Sequence, residues 1–496
     1  MSKRRWGVLN RFFPPSGDRP LSTTKQQPLD LSLLTTKPDP NWLACVDFGT
    51  ALSKICIVRR HKPGTTSTHH IRPLEIGLQV GGQRSSLLAP STLYIVQDRI
   101  YFGDQALEKH AQHGDPSRQC FQSPKQVLSE MAAGALDTPP PASQDPKQSF
   151  KRSELMALLL AQLVWRAHGA AQKVSMGTLP KLRFARPAWQ SEHASCGEEQ
   201  LLKLFARAFA IASTLRERLV DADGLDSAYA RQVLNQVKDD TNLLPLLMRR
   251  VEVEDDVQDC IDRGFVPEAT AVAAAAIRPD KRKRRVLVVV DVGAGTSDFG
   301  AFITVPGDGS GRISELQRAR RVVLRGGNFI DEQVVAFLKD KAGLVEGMPS
   351  AIGPLARLRR EATRIKEDLF AFEEVDEELG NGQFVSARLA ELLEREPIKS
   401  FGNELWEKFM ATLTVATEFT RGLTNPPHSI EVILTGGGKG LPMVQDLINR
   451  AQRQSNYPVT LTDTTPIWIA DTNWSQLFPQ LAVAIGGAMP NMPEQR

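Results

Sequence analysis

The chain is short of the features that usually classify a protein at a glance. Its 496 residues hold five cysteines, Cys45, Cys56, Cys120, Cys196 and Cys260, odd in number, scattered and without a C-x-x-C pair. That usage argues against a structural zinc module or a disulfide framework and points to a reducing compartment. Long apolar runs are missing too: the longest near a helix, Met156 to Trp165, is about half of what a bilayer span requires. The start, Met1-Ser-Lys-Arg-Arg-Trp6, leads into polar, proline-rich sequence rather than an apolar segment, so no secretory signal is expected. A net charge of +4 is small for this length and argues neither for nor against nucleic acid, and no nucleic-acid partner is expected. No G-x-x-x-x-G-K-[ST] occurs, which removes the P-loop folds. A globular cytoplasmic protein is expected, 41% hydrophobic and 24% charged, long enough for about two to four domains.

The most informative stretch is Val286 to Phe302, Val-Leu-Val-Val-Val-Asp-Val-Gly-Ala-Gly-Thr-Ser-Asp-Phe-Gly-Ala-Phe. Its apolar run is too short for a core helix and reads as a strand buried on both faces. Asp291 ends the run, Gly293 and Gly295 permit a tight turn, and a second apolar alternation returns. Such a hairpin aims backbone N–H groups and hydroxyls at an anion with a carboxylate alongside, the arrangement that holds a phosphate and its magnesium ion. Leu43 to Val58 repeats the design, so Asp47 and Asp291, 244 residues apart, occupy equivalent points of two hairpins. Two related lobes offering phosphate loops to one cleft are therefore expected.

Around these hairpins the sequence predicts mixed α and β structure. Residues 1–40, rich in proline and hydroxyl residues, read as a flexible leader in which Leu29 to Leu34 docks as a short element; Arg4, Arg5, Trp6, Phe12 and Phe13 offer the alternative of a membrane or partner hook. Helices are predicted at Gly103 to His110, after Gln122-Ser-Pro-Lys125, and at Ser153 to Gln172. A strand follows at Lys181 to Ala185, and Glu198 to Asp240 forms a helical hairpin with an apolar stripe of Leu201, Leu204, Phe205, Phe209 and Ile211. Pro267-Glu268-Ala-Thr270 opens an Ala-rich helix with an acid at its start. The basic run Lys281 to Arg285 reads as a solvated turn guarding the strand behind it. Beyond the second hairpin, Arg325-Gly326-Gly327-Asn-Phe-Ile-Asp331 is expected to open a helix running to about Leu338, with further helices at Ile352 to Phe370, Ser386 to Leu393 and Phe401 to Gly422 around an acidic link at Glu373 to Glu378. The strand Ser429 to Thr435, the turn Gly436 to Gly440 and a helix from Pro442 could seat an adenosine or a phosphate.

Taken together, these segments resemble the nucleotide-binding domain of the seventy-kilodalton heat-shock chaperones, within the actin, heat-shock and sugar-kinase superfamily. The resemblance runs from Trp42 to Ala488. It rests on Val46-Asp47-Phe-Gly49-Thr50, Asp291-Val-Gly293-Ala-Gly295-Thr296-Ser-Asp298, Pro187-Ala188, Glu268-Ala-Thr270-Ala and Thr435-Gly436-Gly437-Gly438 before Leu441-Pro442. It implies an α/β, two-lobed actin-like ATPase fold with duplicated ribonuclease-H-like lobes. The first lobe would cover 41–285, with a helical insertion around 198–262 and closure by 470–496, and the second 286–469, with a helical subdomain around 328–425.

The implied ligands are ATP or ADP with Mg2+. Asp47, Asp291 and Asp298 would serve the metal, and Glu268, Lys125, Asp291 and Thr296 the chemistry. Gly49, Thr50, Ala51, Leu52, Lys54, Gly293, Ala294, Gly295, Gly326, Gly327, Lys366, Gly436, Gly437 and Gly438 would hold the nucleotide. Lys54 is similar in place to the phosphate-contacting lysine of actins and competes with Lys125 for that role. Ala294 stands where the family has glycine, Thr363 where it has an acid, Phe370 where it has serine, and Gly438 and Gly440 where it has serine and arginine. No peptide-binding domain is expected to follow Ala488. The implied function is a nucleotide-dependent switch or partner-regulating, chaperone-like ATPase, its protein partner meeting the insertion; a polymerising actin-like protein and a non-hydrolysing nucleotide sensor are the alternatives.

Overall fold

The computed structural model describes residues 28–60, 70–78, 85–129, 134–174, 176–187, 189, 191–253, 264–277, 283–306, 312–463, 465–470 and 472–495. The hook residues Arg4 to Phe13, Ala188, residues 254–262 of the insertion, and Lys281 and Arg282 of the basic run lie outside them.

Two sheets share one plan. In the first, β1 (Trp42–Asp47), β2 (Leu52–Arg59), β3 (Ile71–Pro73), β4 (Lys181–Arg186) and β5 (Phe265–Pro267) are ordered β3-β2-β1-β4-β5. Strands β1 and β2, and β2 and β3, pair antiparallel; β1 and β4, and β4 and β5, pair parallel. The second sheet contains β6 (Arg285–Val292), β7 (Ser297–Val305), β8 (Arg312–Glu315), β9 (Ile430–Thr435) and β10 (Val459–Thr462), ordered β8-β7-β6-β9-β10 with the same directions at each step. A two-residue strand, β11 (Glu494–Gln495), extends its edge beside β8. The chain thus has the mixed α/β architecture of an actin-like ATPase, with its sheet plan used twice.

The run Val286 to Val290 forms a strand because all five side chains find apolar neighbours, each fully buried. Register makes the repeat quantitative: Asp47 lies opposite Lys54 in the first hairpin, and Asp291 opposite Asp298 in the second. The last carboxylate of each leading strand therefore emerges at the same end of its sheet.

Helices cover both sheets. In the first lobe α1 (Arg152–Lys173) packs on α2 (Ser191–Leu215), which buries Leu201, Leu204, Phe205, Phe209 and Ile211. The outer side of α2 takes up Leu33 and Leu34 through Leu33 N–H to Ser213 Oγ at 3.1 Å, Asp30 N–H to Thr214 Oγ1 at 3.1 Å, and an Arg216–Asp30 ion pair. Helix α3 (Glu268–Ala276) follows β5. In the second lobe α4 (Gly327–Lys341), α5 (Pro349–Phe372) and α6 (Glu396–Arg421) precede β9, and α7 (Pro442–Gln454) follows it.

Helix α8 (Phe478–Gly487) packs on α3, and both belong to an apolar core that joins the lobes, with Cys45, Val266, Leu287, Val289 and Phe302 among its members. The fully buried Arg183 donates to Met489 O at 2.7 Å and Gly487 O at 3.4 Å, placing its cation on the carbonyl end of α8.

One part of the sequence reading is corrected. The acidic link is a strand, Glu374–Glu378, paired antiparallel with Phe384–Arg388, and the helix expected from Ser386 begins only at Leu389. Val375, Val385 and Ala387 alternate inward, as does Glu377, which is held there by Arg364, while Glu374, Asp376 and Arg388 face out, and Gly380 and Gly382, both left-handed, make the turn.

Candidate active site

The two hairpin tips meet. Asp47, Gly49, Thr50, Ala51, Leu52 and Lys54 from the first, and Asp291, Gly293, Ala294, Gly295 and Thr296 from the second, line one cavity of about 120 Å³ together with Lys125, Glu268, Gly436 and Gly437. A Cβ added to Gly295 would lie 2.5 Å from Thr50 Oγ1, so the second loop approaches the first too closely for a side chain there. Gly436 has φ +82°, and a Cβ on it would lie 2.5 Å from Asp291 Oδ1; β9 ends there because only glycine lets the chain turn away under that carboxylate.

Charge is concentrated at the cavity floor. Lys125, from the short helix Pro124–Ser129, bonds to Glu268 Oε1 across 143 residues of sequence and lies 3.7 Å from Asp47 Oδ1. The other oxygen of Asp47 accepts from Lys54 Nζ at 2.9 Å. Burial opposes the charge on Lys125, but Glu268, Asp47 and Asp298 outweigh it and hold the ammonium's pKa above its usual value. Asp291 goes the other way: burial first, then the carboxylates of Glu268, Asp298 and Asp47, push it well above the ordinary carboxylate range, with Lys54 opposing. Asp298 is fully buried and accepts from Thr296 Oγ1 at 2.9 Å.

The remaining expected contacts lie beside the cavity rather than in its lining. Gly327 N–H donates to Gly293 O at 3.0 Å, and a Cβ on Gly326 would lie 2.4 Å from that same oxygen, so the start of α4 is clipped to the second loop. Lys366 Nζ donates to Gly327 O at 3.4 Å and pairs with Asp331 at 2.8 Å. Gly438 N–H bonds to Val292 O at 2.8 Å, behind the loop.

Sequence reasoning missed Asp331 and three residues of the cavity wall, Pro479, Gln480 and Val483. Asp331 pairs with Lys366 and accepts from Thr363 Oγ1 at 3.2 Å, and burial raises its pKa against the pull of Lys366. Pro479 and Gln480, at the start of α8, line the cavity. Their only sequence cue was a proline opening a helix, which says nothing of where that helix packs.

Whether magnesium suits this donor set can be judged from its chemistry. Among the described residues no three His, Cys, Asp or Glu side chains converge as a self-sufficient metal cage. Magnesium does not need one, since it is commonly held by one or two carboxylates, retained waters and phosphate oxygens. Asp291, buried among like charges and backed by Asp298, fits that role; Asp47 already faces two lysines.

Part of the chain is similar to known proteins. Residues 263–460 match the family model described as Hsp70 protein. The chain is similar to chaperone protein dnaK3 of Synechococcus elongatus, 28% identical over 194 residues that cover 36% of this chain and 24% of that protein. It is also similar to chaperone protein DnaK of Stenotrophomonas maltophilia, 30% identical over 190 residues covering 37% and 28%. Over these stretches the chain is similar to Hsp70 proteins. The aligned stretch spans about a quarter of the length of those curated relatives. Among the described residues no helix is long and apolar enough to cross a membrane.

Proposed function

We propose that the chain binds ATP or ADP with Mg2+ between its lobes and acts as a slowly hydrolysing, heat-shock-chaperone-like ATPase, a cytoplasmic switch whose lobe closure reports nucleotide state to a protein partner. The observation that carries this reading is the convergence of both Asp-Gly hairpins on Lys125 and Glu268 in one cavity. Phosphoryl transfer asks a protein mainly for positioning and charge neutralisation. Backbone N–H groups of residues 50–52 and 293–296 would cradle the phosphates, and the Lys125 ammonium would neutralise developing charge. Glu268, 8% exposed and released from Lys125 by a bound phosphate, would orient the attacking water. Asp291, backed by Asp298, would hold the metal, which adds further neutralisation at the phosphate oxygens.

The insertion buries its apolar stripe against α1 and Leu33, so the surface left for a partner would be its polar outer side. Isothermal titration with ATP, ADP and GTP, with and without Mg2+, tests binding and base preference together. Single-turnover hydrolysis by Glu268→Gln and Asp291→Asn tests the roles: both fall well below wild type, and equal rates would mean the site is misassigned.

Lys54, 2.9 Å from Asp47, favours a second reading as a polymerising actin-like protein. ATP-dependent light scattering separates the two, because a chain that stays monomeric at high concentration with ATP is no filament former.

A further inference from the structure

A side-chain hydrogen bond crosses the cleft where the lobes would part. Asn328 Nδ2, at the start of α4, donates to Ser123 Oγ at 2.7 Å, and both residues are half-buried. Each end is attached to the site. Asn328 N–H donates to Ala294 O at 2.8 Å, so its backbone is clipped to the second phosphate loop. Ser123 lies two residues before Lys125 and accepts from Gln126 N–H at 3.0 Å through its carbonyl, opening the turn that carries the lysine. Its φ is +53°, a left-handed conformation that serine seldom holds without a local reason.

The lobes are also joined by a contact of a different kind. Thr270 Oγ1 of α3 donates to Glu315 Oε2 of β8 at 2.7 Å, and the fully buried Glu315 takes Arg320 at 2.6 Å and 3.0 Å. The Glu315–Arg320 pair stays within the second lobe, but the fully buried Thr270 bond to the Glu315 carboxylate costs more to break than a neutral bond at a half-exposed rim. The cavity of about 120 Å³ also falls short of the roughly 300–1,000 Å³ typical of small-molecule sites. A nucleotide therefore enters or leaves only when the lobes part, and they part at the weaker joint.

We propose that the Ser123–Asn328 bond is a closure latch: it ties the second phosphate loop to the Lys125 turn when the lobes are shut and sets the rate at which nucleotide leaves. The inference rests on the nucleotide reading above. Neither residue touches the reacting atoms; both are positioning residues.

The experiment is stopped-flow release of a fluorescent ADP analogue from the full chain, for wild type, Asn328→Ala, Ser123→Ala, Ser123→Gly, Ser123→Thr and the Ser123→Ala/Asn328→Ala double variant. Losing one neutral hydrogen bond should speed release by about two- to tenfold in each variant that lacks it. The double variant should release no faster than either single one, because the same bond is already lost, and Ser123→Thr, which keeps the hydroxyl, should stay near wild type. Ser123→Gly relieves the left-handed backbone, so a matching acceleration there assigns the effect to the bond rather than to strain. Release at the wild-type rate in both alanine variants, or factors that multiply in the double variant, would overturn the latch alone. Failure of wild type to bind the analogue would instead overturn the nucleotide reading, and the latch with it.

Discussion

Replacing Lys125 by methionine and Glu268 by glutamine removes opposite ends of one ion pair, yet the two changes should have unequal effects on stability. The pair sits among four buried carboxylates, Asp47, Glu268, Asp291 and Asp298, with Lys54 and Lys125 as the cations in contact. Lys125→Met leaves Glu268 buried without its cation and strips Asp47 of one of two lysines. Removing one partner of a buried pair costs about 3–5 kcal/mol, and the surplus of like charge places this case at the upper end. Glu268→Gln keeps the shape, removes a carboxylate from a crowded set and leaves Lys125 facing Asp47 at 3.7 Å, so its cost should stay below about 1 kcal/mol.

Urea unfolding of the ligand-free chain at pH 7, followed by circular dichroism with unchanged slope, measures both differences. A Lys125→Met variant within about 1 kcal/mol of wild type, or equal losses in the two variants, would refute the charge accounting. pH gives a second handle. The folded-state pKa of Asp291 is raised, so the stability it contributes is complete below its unfolded value, about 3.9, and is lost as pH climbs through the raised value. The Lys125→Met deficit should therefore widen from pH 5 to pH 8.

Three further outcomes follow from the packing. Gly436→Ala would place a methyl 2.3 Å from Val292 O at φ +82°; the left-handed backbone and the overlap together should cost about 2–4 kcal/mol in chemical denaturation, and a loss under about 0.5 kcal/mol would show that the turn yields freely. Arg183→Met leaves the carbonyls of Gly487 and Met489 without their buried donor and should lose at least about 2 kcal/mol, read by the same titration, with Arg183→Lys recovering only part. Burial holds His110 and His168 below the usual imidazole pKa, so the stability of their neutral forms is present above about pH 6.5 and is lost as pH falls below it. The Tm should drop between pH 7 and pH 5, and a His110→Gln/His168→Gln variant with an equally steep drop would assign the effect elsewhere.

How much was legible beforehand depends on how local each feature is. Both hairpins could be read because an apolar run, a carboxylate and a glycine turn within about fifteen residues encode strand, end and return by their own sterics. The helix after Pro267 and the strand before Gly436 were readable for the same reason. The hairpin at 374–388 was misread: its acidic outer face hid the inward alternation of Val375, Val385 and Ala387, and its Gly380-Asn381-Gly382 turn was passed over. Asp331 and Asn328 carried no local cue, and Gln480 only the proline that opens its helix. Each draws its meaning from a partner far away in sequence: Asp331 from Lys366, Asn328 from Ser123, and Gln480 from the wall it shares with the two loops.

By itself, then, the sequence determined the two Asp-Gly hairpins, their equivalence and the carboxylate at each tip, because backbone preference and hydrophobic pattern act over a few residues. Only the tertiary structure decided which charges meet. Lys54 pairs with Asp47 across one hairpin, Lys125 reaches Glu268 over 143 residues, and Asp291 is left among like charges as the group in need of a cation. Those pairings depend on how α3, α8 and two sheets pack together, and burial, which turns proximity into energy, exists only once they have.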